Sequence, residues 1–149
     1  MYQRILIATD GSDLSRKAVT SGISLAKLTG AELVALKVVP RYPVSYFEGG
    51  SSVAAAAKEV AQIEQQWADD ALAVAEAVKT SAEAAGVKAK AVIVTSDLIA
   101  ESIITTAKKH DCDLIVMASH GRRGLKRLLL GSETLHVLTH SHTPVLVLR

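Results

Sequence analysis

The strongest constraint on this chain is a repeated switch of hydrophobic period. Short, nearly continuous aliphatic runs occupy Arg4–Ala8, Glu32–Val39, 113–118 and 144–148. A strand buried on both faces reads this way, whereas a strand with one wet face alternates. A fifth run, 87–95, opens by alternating, with Val87, Ala89, Ala91 and Ile93 set against Lys88 and Lys90. Between the runs the apolar spacing changes to three and four, the period of a helix. Residues 13–28 place Val19, Ile23 and Ala26 on one face, with Ser12 suited to the N-cap and Gly30 to a left-handed C-cap. Residues 58–85 carry Val60, Ile63, Trp67, Ala71, Val74 and Val78 before Gly86. Trp67 is expected in the core or between helix and sheet. Residues 98–109 use Ile99, Ile103, Ile104 and Ala107, with Ser96 or Asp97 as N-cap and Lys108 and Lys109 at the end that suits cations. A shorter helix is expected over 132–139.

The resulting order, β-α-β-α-β-α-β-α-β, predicts an α/β fold. It is a single-domain open parallel five-stranded sheet with helices on both faces and right-handed crossovers. A chain of 149 residues suits one domain, and no internal repeat is visible. The one irregular stretch, 40–55, holds Pro40, Pro43 and three of the five aromatics, Tyr42, Tyr46 and Phe47. They are expected to pack this connection down; the alternative is a lid or a partner surface.

Composition removes several classes. With 49% apolar residues and 21% charged ones, the chain is too apolar for a disordered segment. No apolar run approaches the roughly 18 residues of a membrane span, so no membrane partner is expected. The start of the chain lacks an export pattern, and the single cysteine, Cys112, excludes an internal disulfide. Both point to the cytoplasm, with Cys112 as a small buried apolar residue.

In open α/β sheets, ligands sit beyond the carboxyl ends of the strands, where strand order reverses. Three segments matter there: Thr9-Asp10-Gly11-Ser12, Val38-Val39, and Ser119-His120-Gly121-Arg122-Arg123-Gly124 leading to Gly131-Ser132. Glycines let backbone approach a ligand, and a helix opening at Ser132 offers free N–H groups to an anion. Arg122, Arg123, Lys126 and Arg127 contribute +4 within a chain of net charge +2, so the remainder is net acidic. Such a concentrated basic loop suits a small anion such as a phosphate group; the alternative is a glycine-rich turn with a solvated basic rim. It is no nucleic-acid footprint. The P-loop pattern and the Gly-x-Gly-x-x-Gly dinucleotide pattern are both absent. His136, His140 and His142 are expected at the surface or in packing, not on a metal, because the sequence places no cysteine or carboxylate beside them.

These residues resemble a known family. The spacing Ala118-x-x-Gly121-x9-Gly131-Ser132 is similar to the nucleotide-binding signature of the universal stress proteins, Gly-x-x-Gly-x9-Gly-Ser/Thr, with Ala118 where the first glycine stands. Residues 5–12, 112–117 and 143–148 resemble the family's opening strand and Asp-Gly-Ser turn, its fourth strand and its closing strand. The resemblance covers the whole chain as one domain, 1–149, of Rossmann-like, adenine-nucleotide α-hydrolase-like type. It implies that the chain binds ATP, with or without Mg2+. Asp10 would hold the ribose, and Ala8 and the Val38 backbone would line the adenine. Ala118 would lie close to the phosphates, which Gly121, Gly131 and Ser132 would hold. Glu133 and Thr134, in the first turn of the helix, are further candidates. Arg122 and Arg123 are added by charge alone. The resemblance also implies a homodimer through the edge strand Val145–Leu148. A regulatory nucleotide-binding role is the leading expectation, with no catalytic residues. The alternatives are a slow ATPase using His120 and a structural dimer that binds no nucleotide, which Ala118 keeps open. A receiver-like phosphoacceptor would need clustered acids after the first strand, which are absent.

Overall fold

A computed structural model describes residues 1–43, 53–121 and 130–149. Five strands alternate with four helices: β1 Arg4–Ala8, α1 Asp13–Thr29, β2 Glu32–Val39, α2 Val53–Ala84, β3 Ala89–Thr95, α3 Ile99–Lys109, β4 Leu114–Ala118, α4 Ser132–His140 and β5 Val145–Leu148. The strands form one parallel sheet in the order β3-β2-β1-β4-β5. The predicted open, two-faced sheet is therefore present. Strand β1 is its pivot: Ile7 pairs with Ala35 of β2 on one side and with Val116 of β4 on the other. Strand order reverses there, so the helices leaving β1 and β4 diverge to opposite faces and open a crevice between the strand ends.

Side-chain alternation divides the core into two layers. Ile5, Ile7, Leu33 and Ala35 point into one, against Ala18 and Ala26 of α1 and Val78 and Ala82 of α2. Leu6, Val34, Leu36 and Ile115 point into the other, against Ile103 and Ala107 of α3 and Val137 of α4. Both faces are thus covered, which is why the strands read as continuous apolar runs. Cys112 is buried in the second layer, where burial pushes its thiol up to about 11. It behaves as the small apolar residue expected.

Helix α1 is capped as its sequence predicts: Ser12 accepts from Ser15 N, and Gly30 closes it at φ +73°. Its inward stripe is Ser15, Ala18, Gly22 and Ala26, with Val19 and Ile23 packing at the margin. Several boundaries shift, and those at the starts of α2, β3 and α3 have a local origin. Helix α2 starts at Val53, earlier than the predicted 58, which takes its first turn out of the 40–55 connection. Strand β3 starts at Ala89, because Val87 N donates to Ala82 O and closes the preceding turn. Helix α3 starts at Ile99 and is not capped by Ser96 or Asp97: Ser96 Oγ accepts from Leu98 N, and Asp97 Oδ1 accepts from Arg41 N. Trp67 belongs to neither core layer. It is half-buried on α2 with its ring 5.6 Å from that of Tyr42. Tyr42 thereby packs against α2; Tyr46 and Phe47, and most of the connection they are expected to pack down, lie outside the described residues.

Candidate functional site

The end of β1 is set by short-range hydrogen bonds. Thr9 N donates to Leu36 O, extending the β1–β2 ladder by one residue. The chain then turns through Gly11 at φ +79°, a conformation with little penalty only for glycine. Ser12 N donates to Asp10 Oδ1 at 2.9 Å, the Asx turn that Asp-Gly-Ser favours. This bond holds the half-buried Asp10 carboxylate at the carboxyl edge of the sheet.

The end of β4 is tied on both sides. Ala118 pairs with Leu148 and is 9% exposed. Asp111 is the only non-glycine residue with positive φ among the described residues, so Ala118 sits in ordinary backbone and its methyl costs no strain. Ser119 N donates to Leu148 O at 2.7 Å, and Gly131 N donates to Ser119 O at 2.8 Å. Thr134 is buried, and its hydroxyl donates to Ala118 O at 3.0 Å. These bonds bring the start of α4 back against the end of β4. Gly121 lies across from Asp10, and a Cβ placed on it would stand 2.7 Å from Asp10 Oδ2. At Gly131 a Cβ would stand 3.2 Å from His120 Cα. A side chain at either glycine would have to displace a neighbour, the end of the Asp10 side chain at Gly121 and the His120 backbone at Gly131.

Between these ends lies a cavity of about 160 Å³. Ala8, Asp10, Val38, Ala118, Gly121, Glu133 and Thr134 line it, so seven of the eleven sequence candidates meet at one place. Gly131 and Ser132 stand beside it, at the N-terminus of α4. Arg122 and Arg123, with Lys126 and Arg127, lie outside the described residues. The lining also includes His120, the residue of the ATPase alternative, and residues the sequence did not nominate, Lys37, Ile99, Ile103 and Met117 among them. Lys37 carried a signal, as the one cation inside the apolar run Leu33–Val39 of β2. Ile99 and Ile103 were assigned to the core side of α3, and Ile99 is instead 36% exposed at the mouth. His120 Nδ1 lies 3.1 Å from Ser119 Oγ. A second hollow, of about 200 Å³, shares Asp10 and Lys37 with the first and is bounded by Trp67 and Asp70.

The later part of α4 holds His136 and His140, and His142 follows it, exposed. His136 Nε2 lies 3.2 Å from Glu101 Oε1 of α3, and the His136 and His140 rings stack at 4.2 Å. Among the described residues, no group of three metal-ligating side chains could hold an ion. Among them, too, no helix is long and apolar enough to cross a membrane.

A parallel sheet in this order, with a walled cavity at the strand reversal, defines a doubly wound α/β protein. The chain belongs to the universal stress protein family, whose model matches residues 1–149. It is 35% identical over 149 residues to universal stress protein MJ0531 of Methanocaldococcus jannaschii, covering 100% of this chain and 83% of that one. The solved structure of MJ0577 from the same organism superposes with a TM-score of 0.82 at 29% identity, covering 99% of this chain and 96% of that one. A universal stress protein solved in complex with cAMP superposes with a TM-score of 0.69 at 26% identity, covering 99% of this chain and 97% of that one.

Proposed function

We propose that this stress protein binds an adenine nucleotide, ATP in the first instance, in the cavity at the β1–β4 reversal, and acts as a regulator and not as an enzyme. The observation that carries this reading is the convergence of Ala8, Asp10, Val38, Ala118 and Gly121 on one cavity at the strand reversal, with a carboxylate at its edge and apolar side chains along its wall. The relative solved with cAMP supports the ligand class. Asp10 holds the ribose, a ligand with vicinal hydroxyls for a carboxylate to accept from. Ala8, the Val38 backbone and the aliphatic side chains of Ile99, Ile103 and Met117 take the base. Ala118, Gly121, Gly131 and Ser132 take the phosphates, with N–H groups at the N-terminus of α4 and, where present, Mg2+ alongside. Arg122 and Arg123, which follow Gly121 in the sequence, add positive charge to this reading.

The protein acts as a homodimer through β5. This strand forms one edge of the sheet, and beside it Leu135, Leu138 and Leu146 are exposed by 54%, 40% and 37%. The buried, reduced Cys112 is in keeping with a cytoplasmic setting. Isothermal titration with ATP followed by a phosphate-release assay tests the reading: saturable binding with no release is expected. Absence of binding would overturn it, and steady release would replace it with the ATPase reading.

A further inference from the structure

Helix α3, which supplies an apolar wall of the cavity, has no cap of its own. Its N-cap residue, Leu98, makes no side-chain hydrogen bond, and Ser96 and Asp97 are engaged with Leu98 N and Arg41 N. The missing acceptor comes from another helix. Glu133 Oε2 accepts from Ala100 N at 3.0 Å, across 33 residues of sequence. Ala100 is the second residue of α3, the position whose N–H an N-cap side chain normally satisfies, and a negative charge there also suits the helix dipole. One turn further along α4, His136 meets Glu101 of α3 at 3.2 Å. The two helices are thus joined at two points beside the cavity, with Ile99 and Ile103 on one and Thr134 on the other.

We infer that Glu133 is a positioning residue: it caps α3 from α4 and thereby sets the wall against which the base of the ligand lies. This rests on the adenine-nucleotide reading above and differs from the role the family resemblance implies, in which Glu133 touches the nucleotide itself. The two roles separate by ligand. A contact to phosphates alters the affinity of ATP and leaves a phosphate-free nucleoside unaffected. A cap that orients the base wall alters both by the same factor.

The test compares ATP and adenosine by titration in the wild type, Glu133→Ala and Glu133→Gln, together with amide exchange at Ala100 followed by NMR. In Glu133→Ala both affinities are expected to fall by the same factor, about fivefold if a typical loss of N-cap stabilisation is felt by the wall. The Ala100 amide is expected to exchange about tenfold faster as the first turn of α3 opens. Glu133→Gln keeps an acceptor oxygen of the same reach and recovers most of both changes. A loss confined to ATP, or a glutamine variant as impaired as alanine, overturns the inference. If the wild type binds neither ligand, the adenine reading fails, and the exchange measurement still decides the cap: unchanged Ala100 exchange in Glu133→Ala overturns it.

Discussion

The two faces of the sheet are closed in different ways. On the α1–α2 face the fully buried helix positions are small: Ile5, Ile7 and Leu33 meet Ala18, Gly22, Ala26 and Ala82, with Val78 the larger helix residue among them. The approach is so close that a Cβ on Gly22 would stand 2.5 Å from Ile7 Cδ1. On the α3–α4 face the helices are shorter, eleven and nine residues, and contribute Ile103 and Val137 as well as alanines. Their cover ends before the strands do, and the cavity opens between Leu36, Val38, Met117 and Ile99. Close backbone approach packs α1 tightly on one face, where a hollow remains only beside α2 near Trp67, and the shorter helices leave the cavity at the strand reversal on the other. The closest packing and the cavity beside the signature glycines thereby lie on different sides of one sheet.

Substitutions on each side can break or sharpen this contrast. The largest effect is expected at Gly22→Val. Ile7 is fully buried and stiff at its branched carbon, so the added side chain displaces it or α1, at a cost of about 2–3 kcal/mol. Urea unfolding measures this, and a variant with an unchanged midpoint would show that α1 has slack. Gly121→Ala is expected to act the other way round. Its methyl reaches the Asp10 carboxylate at the cavity and no core atom, so stability changes by less than about 1 kcal/mol while ATP affinity falls about tenfold. Calorimetric titration beside a thermal melt tests it, and equal effects in both would erase the distinction between faces. The smallest effect is expected at Ala118→Gly, which restores the family's glycine. Because Ala118 occupies ordinary strand backbone, the change costs at most about 1 kcal/mol in chain entropy and leaves ATP affinity within about twofold. A large gain in affinity would show that the methyl obstructs the phosphates.

Much of this architecture was legible because its signals are local. The switch of period marked all nine elements, and Ser12 and Gly30 marked the ends of α1 through cap chemistry that needs no partner. The start of α2 was hidden because Val53 and the alanines after it have helical propensity but no amphipathic period; Val53 itself is 86% exposed. Trp67 followed the apolar stripe of α2, but the half of the helix that carries it lies mostly exposed, so the stripe there meets Tyr42 and a hollow instead of the core. The cap of α3 could not be read at all, since Glu133 reaches it only after the chain has crossed the sheet. Of the site, the glycine spacing and Asp10 announced themselves. Ile99 and Met117 did not, because an aliphatic residue facing a cavity and one facing the core look alike in sequence.

The bonds that close the turn after β4 have a mechanical meaning. Gly131 N is held by Ser119 O, and Ser119 N is held by Leu148 O. The entrance of α4 and the outermost strand therefore hang from opposite sides of one peptide residue, like two pans on a single beam. A tilt of Ser119 is delivered to both. Should occupancy of the cavity shift that beam, the pairing edge is shifted with it, and reciprocity then requires that whatever docks on the edge changes, by the same factor, the grip on the ligand.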